Sequence, residues 1–493
     1  PDTLSKRSEH PMQNIENELA RLEPIARQLE PDSGQRARAN QLVMDYANGF
    51  LQQLPGLKTF QPDSGANLLQ GMPVSEQPYS MEQVLETLAG DVDFDGINPA
   101  SGGHLGYIPG GGQYYAALGD YLADVFNRYA GVSYASPGAV QLEKSLIRWM
   151  GDLVGYPAGA AGDLTSGGSI ANLMGVVAAR DAAELKGNQL ESSPIYLTEQ
   201  VHHCVDKAIR IAGLGECPRR IIPMDAGYRM DAEVLAATIQ KDKSVGYKPW
   251  LIVASAGTTD TGSVDPLETI ADIAAFHGIW FHVDAAYGGF FMLSDSARDV
   301  LNGIQHSDSV VIDPHKGLFL PYGSGAILVK DGASLHKAHY YDAHYMQDAK
   351  TNEQDLSPAD LSPELSRPFR GLRMWLPLML CGLAPFRAAL DEKLLLAKYF
   401  HQKLSALPGW EVGPEPDLSV VTYRFLPETG DADEFNRRLL KAIHDDGRVF
   451  VSSTVLNGTF VLRLAVLHFR SHREQVDLLL ELLNFHAIRL SSR

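Results

Sequence analysis

Cysteine is scarce in this chain, with Cys204, Cys217 and Cys381 the only three in 493 residues. They form no CxxC pair and no disulfide framework, so they are compatible with a reducing compartment and are assigned no chemistry. Long hydrophobic runs are also lacking. The most apolar stretch, residues 374–385, is short and broken by Pro377, well below the roughly 20 residues that cross a bilayer. The opening PDTLSKRSEHPMQ is polar and has no apolar core of the signal-peptide kind, so a cytoplasmic location is the default expectation. Positive charge is outnumbered, 42 basic residues against 60 acidic, for a formal charge of −18. That balance disfavours sequence-independent nucleic-acid binding and attraction to anionic membranes. The expected partners are a small molecule or a second copy of the chain. No internal repeat or low-complexity tract is present.

What the chain does contain is an ordinary globular composition, 45% hydrophobic and 21% charged, long enough for one large core and at least one further domain. Over residues 14–54 apolar side chains recur at three and four spacings (Ile15, Leu19, Leu22, Ile25, Leu29, then Leu42, Val43, Tyr46), which predicts two helices separated at Pro31-Asp32-Ser33-Gly34. Residues 97–112 are rich in Gly and Pro around His104, Tyr107 and Ile108 and read as irregular backbone, either lining a pocket or making a structural turn. Helical spacing returns over 115–129 and 139–154.

From residue 193 onward, apolar strand candidates alternate with helices: 193–197, 250–255, 279–283 and 309–312 as strands, 205–214 and 266–277 as helices. This alternation predicts an α/β fold with a mostly parallel sheet, in which polar residues at strand carboxyl ends converge on one crevice. After Gly332 the pattern loosens into a long polar loop over 347–363. A helix over 385–407, strands near 418–425, 448–453 and 459–467, and helices over 433–445 and 473–488 then predict a compact α+β unit.

Three features in this frame carry chemistry. The run Ser309-Val310-Val311-Ile312 leads into Asp313-Pro314-His315-Lys316-Gly317, a buried strand releasing a lysine at its polar end. Asp284 ends the strand candidate before it, 32 residues earlier, about the length of one strand–helix–strand unit. The segment Thr165-Ser166-Gly167-Gly168-Ser169 opens a helix, where free N–H groups and the helix dipole suit a phosphate. A lysine to hold an aldehyde, an acid to keep a pyridine nitrogen protonated and a phosphate cradle are what pyridoxal phosphate requires.

The sequence resembles the group II pyridoxal-phosphate amino-acid decarboxylases. The motifs are HVDAAYGG at 282–289, DPHKG at 313–317, VHHCVDKA at 201–208 and RPFRGLRMW at 367–375, with ASPGAVQLEKSLIRWMGDLVGYP at 135–157 pointing to the aromatic-type branch. The resemblance implies a fold-type I, aspartate aminotransferase-like architecture. It divides the chain into an N-terminal helical, dimer-contacting segment (1–104), a large cofactor-binding domain (105–384) and a small α+β domain (385–493). It implies a homodimer with the active site at the interface, pyridoxal 5'-phosphate as cofactor, no metal, and an L-amino acid as substrate.

Residue by residue, it implies that Lys316 anchors the cofactor and that Asp284 pairs with its ring nitrogen. His202 would stack on the ring, with Thr258 supporting the ring site and Ala286 packing on the other face, while Gly168, Ser169, Ser309 and His315 hold or flank the phosphate. Many members of the family carry Asn at the position of Asp313, and a carboxylate beside a phosphate is expected to point elsewhere or to bind while protonated or solvated. Counted without a gap from Lys316 through LPYGSGAILVKD, Tyr345 falls on the mobile-loop tyrosine that returns a proton to the reacting carbon after CO2 leaves; members with an apolar residue there form aldehydes. Tyr107, Ile108, Gly131, Ser366 and Arg463 match substrate-pocket positions. Gly131 stands where a bulky aromatic is usual, Ser366 where a small polar residue accompanies imidazole substrates, and Arg463 either binds a carboxylate or serves structure. The implied reaction is decarboxylation of an aromatic or similar amino acid to the amine, with a glutamate-type enzyme, an aldehyde-forming variant and a non-catalytic binding protein as the alternatives.

Overall fold

The computed structural model describes residues 9–63, 65, 68–340 and 356–492, and its contacts divide the chain into two compact units. The smaller holds the described residues up to Leu57 together with Pro62–Gly96; the larger holds Lys58–Gln61 and Ile97–Arg493.

Helices Glu9–Ala26, Ser33–Gln53 and Met81–Asp91 make up most of the smaller unit. The predicted break lies where the second helix begins: Asp32 accepts from the Gln35 backbone N–H while the Gln35 side chain accepts from the Asp32 backbone N–H, a reciprocal cap for groups a helix start leaves unpaired. Ser80 and Gln83 repeat the device before the third helix, which periodicity did not reveal. The smaller unit ends at Gly96. The reason is hydrogen bonding: Asn98 N–H donates to the Thr59 carbonyl, Leu105 N–H to that of Phe450, and Ser471 Oγ to that of Gly102. These bonds fasten residues 98–105 into the larger unit.

That unit is built on a seven-stranded sheet in the order Ala161–Thr165, Gly325–Val329, Ser309–Ile312, Trp280–Asp284, Leu251–Ser255, Ile195–Leu197, Arg219–Ile221. Pairing is parallel except where Gly325–Val329 runs against both its neighbours. The central strands are buried along their length, as expected of a sheet covered on both faces by helices, which explains their continuous apolar runs. Among the strands of this sheet, 161–165, 219–221 and 325–329 lay outside the sequence expectations. A second, antiparallel sheet, Trp410–Val412, Val420–Phe425, Thr459–Ala465 and Ser452–Leu456, forms a core of its own with helices Ala384–Ser405, Ala432–Asp446 and Arg473–Ser491. Among the described residues no helix is long and apolar enough to cross a membrane.

Candidate active site

Parallel strands Leu251–Ser255, Trp280–Asp284 and Ser309–Ile312 deliver their carboxyl ends to one side of the sheet. Asp284 is the last residue of its strand. Just past the end of the next, Pro314 starts a single helical turn that presents Lys316. Ser166, Gly167, Gly168, Ser169, His202, Asp284, Ala286, Asp313, His315 and Lys316 line one cavity of ≈ 280 Å³, and a smaller adjoining recess adds Thr258, Thr259 and Tyr287. The residues expected at the cofactor thus come together, with one exception.

The cradle is local chemistry. Gly167 has φ +152°, a conformation open to glycine, and is held there by Thr165: its N–H donates to Thr165 Oγ1, which in turn donates to the Gly167 carbonyl. Helix Gly168–Ala182 begins at once, so its first-turn N–H groups and dipole face the cavity. A methyl on Gly168 would stand 2.9 Å from Asp313 Oδ2 and 3.3 Å from the Ala286 Cβ, so the glycine keeps the cradle open.

Asp284 sits at the other end. Its Oδ1 accepts from the Ala286 backbone N–H at 3.1 Å and its Oδ2 from Asn172 Nδ2 at 3.3 Å. His202 caps helix His203–Ile211, its Nδ1 accepting from the Cys204 N–H; burial holds its imidazole below the usual value, against the opposing pull of Asp284. Thr258 belongs to a buried run of hydroxyls with Thr261 and Ser263. His315 donates from Nδ1 to the Ser324 carbonyl, and burial lowers its value also. The Asp313 carboxylate turns to Lys316, with Oδ2 3.3 Å from Nζ, while its buried Oδ1 finds no partner among the described residues.

Ser309 is the exception. It occupies the first position of its strand, and four residues of strand span about 10 Å, so it lies at the end remote from Lys316. Its Oγ bonds His282 and Trp280. The resemblance implied a place at the phosphate, and the length of strand between Ser309 and Lys316 separates the two. Conversely, sequence reading missed Asn172 and His282, both fully buried. The signal was available: Trp280, His282 and Asp284 alternate along a buried strand and so share a face, and buried polar groups at every second position need partners.

The substrate-pocket positions are dispersed. Tyr107, at φ +55° and largely exposed, contacts the Phe450 ring at 5.6 Å; Ile108 is half-buried. The Tyr107 N–H donates to Ser452 Oγ, which also accepts from Arg463 Nη1. Arg463 is buried and donates further to the Thr259 and Asp260 carbonyls, so its guanidinium is committed to protein acceptors. Gly131 is walled in by the Leu365 carbonyl, which accepts from the Tyr129 hydroxyl, with exposed Ser366 next along the chain; neither lines the cavity described above. Tyr345 lies outside the described residues.

A family model described as the pyridoxal-dependent decarboxylase conserved domain matches residues 74–426. The chain belongs to the pyridoxal-dependent decarboxylase family. It is similar to an aromatic-L-amino-acid decarboxylase of Bacillus atrophaeus, 33% identical over 89% of this chain and 92% of that one. A phenylacetaldehyde synthase of Petunia hybrida is 31% identical over 79% and 81%. Among solved structures, Oryza sativa TDC with PLP and tryptamine superposes with a TM-score of 0.87 at 25% identity, covering 94% of this chain and 99% of that one. Membership makes the protein a pyridoxal-phosphate-dependent carboxy-lyase of fold-type I, and the residues present fit that cofactor: an open glycine cradle, a carboxylate and a lysine on one cavity.

Proposed function

We propose that the protein removes the α-carboxylate of an aromatic L-amino acid, releasing CO2 and the corresponding amine. The observation that carries this reading is the convergence of Lys316, Asp284 and the Gly167–Ser169 helix start on one cavity. Bound there, pyridoxal phosphate supplies the electron sink for the pair left behind when the carboxylate departs. Lys316 Nζ presents the amine that holds the cofactor aldehyde, the Gly168 and Ser169 N–H groups receive the phosphate, and Asp284 keeps a proton on the ring nitrogen. Tyr345 delivers a proton to the α-carbon. For the zwitterionic substrate the balance is one proton consumed for each CO2 and ammonium product formed.

Two observations support an uncharged substrate side chain. Arg463 is occupied by two backbone carbonyls and Ser452, so it offers no free guanidinium to a second carboxylate. Tyr107 and Phe450 set an aromatic pair beside it, and the Bacillus relative is named for aromatic amino acids. The same reading includes a homodimer, with which exposed Tyr115, Val125 and Phe126 on helix Tyr114–Phe126 are compatible.

The test is a screen of L-amino acids with added pyridoxal phosphate, scoring amine, CO2, aldehyde and H2O2. Amine and CO2 in equal amounts from an aromatic substrate are expected. A preference for glutamate would overturn the substrate class. The Petunia relative favours a second reading, aldehyde formation, and stoichiometric H2O2 from the wild type would establish it over the first. Tyr345→Phe is expected to raise the H2O2 yield.

A further inference from the structure

Asp284 is the last member of a line of polar groups running through the sheet. Trp280 Nε1 donates to Ser309 Oγ at 2.9 Å, and that oxygen stands 2.7 Å from His282 Nδ1. His282 Nε2 stands 2.8 Å from Asn172 Oδ1, and Asn172 Nδ2 reaches Asp284 Oδ2 at 3.3 Å. Ser309, His282 and Asn172 are wholly buried. Strand register places Ser309 directly beside His282, and helix Gly168–Ala182 lies over the same face with Asn172 and Gly175. A methyl on Gly175 would come within 2.6 Å of His282 Cε1, so this glycine makes the slot in which the imidazole sits.

The direction of every bond follows from chemistry at the two ends. An indole N–H can only donate. Ser309 Oγ receives that hydrogen, and with a second lone pair free it could still either give its own hydrogen to His282 Nδ1 or accept another. The Asn172 end decides: its Nδ2 faces acceptors, so its Oδ1 accepts, the imidazole hydrogen lies on Nε2, and Ser309 gives its hydroxyl hydrogen to Nδ1. Asn172 Nδ2 also donates to the Gly168 carbonyl at 2.9 Å, and a flipped amide would set Oδ1 against two acceptors. Burial holds His282 well below its usual value, at about 4, so the ring is neutral and carries the single N–H this pattern needs.

We propose that Trp280, Ser309, His282 and Asn172 form a one-way chain of hydrogen-bond donors that fixes the orientation of the Asp284 carboxylate toward the cofactor ring nitrogen. They are positioning residues and touch neither substrate nor reacting atoms. Asn172 has a double duty: one amide bonds both the ring-nitrogen acid and the carbonyl of Gly168 in the phosphate cradle, and so sets the two ends of the cofactor site relative to each other. The proposal rests on the reading that Asp284 pairs with the ring nitrogen.

The test compares Ser309→Ala, Ser309→Thr, Trp280→Phe and Asn172→Ala with Asp284→Asn. Ser309→Ala and Trp280→Phe remove donors at the remote end of the chain, with the carboxylate untouched. Each is expected to lower kcat by up to about tenfold with little change in KM, the order of one net hydrogen bond between neutral groups. Each should also weaken pyridoxal phosphate binding to the apo protein, read by absorbance titration, and shift the pH profile of the bound cofactor's visible band. Ser309→Thr keeps the hydroxyl and should restore all three. Melting temperatures of the apo proteins check that the fold is intact. Unchanged affinity, spectrum and kcat in Ser309→Ala and Trp280→Phe would overturn the proposal, as would equal losses in Ser309→Thr. Should Asn172→Ala fail to fold, the two variants at the remote end decide the matter alone. A loss in Asp284→Asn with none in the chain variants removes only the chain, whereas an Asp284→Asn protein with wild-type spectrum and kcat removes the underlying reading.

Discussion

Replacing Asp313 with asparagine tests how the lysine is held before cofactor arrives. Asp313 is buried and its Oδ2 stands 3.3 Å from Lys316 Nζ. Unit charges at that separation attract by roughly 5 kcal/mol gross at an effective dielectric of about 20. The lysine side chain keeps 22% of its exposure, so solvent screens the pair and the net value is nearer the ~1.5 kcal/mol at the low end for hydrogen bonds to charged groups. An amine that must leave this partner to react is thereby withheld by about a factor of ten, at ~1.4 kcal/mol per decade. Asp313→Asn preserves the shape and removes the charge. Pyridoxal phosphate should then combine with the apo protein about tenfold faster, followed by stopped-flow absorbance at fixed pH and salt. Slower or weaker combination would refute the reasoning, because it would mean that Asp313 itself holds the cofactor.

Two further outcomes follow from packing away from the cavity. Glu143 is buried between Arg367 and the Gly371 N–H, and burial pushes its carboxyl up to about 7 from 4.5. A raised value means the folded state binds the proton more tightly. The associated stability is full below the unfolded value and is lost as pH rises through about 7, by up to ~3 kcal/mol. Urea midpoints at pH 5 and pH 8 should show this loss in the wild type and not in Glu143→Gln; a flat wild-type profile would contradict it. Gly131→Ala would set a methyl 2.6 Å from the Leu365 carbonyl oxygen, overpacking that typically costs about 1–3 kcal/mol. Its melting temperature should fall by several degrees, and an unchanged value would show that the 365 segment yields freely.

The sequence made the sheet and the cofactor site legible to different degrees, for physical reasons. Strands 251–255 and 280–284 announced themselves because burial on both faces demands unbroken apolar runs. Ala161–Thr165 did not, since its AGDLT is small and polar and is a strand only because Gly325–Val329 pairs with it. Lys316 and Asp284 could be matched because two parallel strands a fixed length apart must end together. Ser309 was expected at the phosphate from the resemblance alone, and the strand's rise places it at the far end from Lys316; Arg463 could not be resolved because its partners are backbone carbonyls 203 and 204 positions distant. Asn172 and His282 required combining period two on a strand with period 3.6 on a helix, a match across two elements that composition does not advertise.

The reversed strand of the seven-stranded sheet, Gly325–Val329, couples two parts of the cofactor site mechanically. By turning back immediately after the lysine segment it lies between Ser309–Ile312 and Ala161–Thr165 and packs Gly325 against Gly167, where even a methyl would come within 2.5 Å of the Gly167 backbone. The anchor and the cradle therefore share one short tether, and an insertion between them would shear the two halves of the cofactor site apart.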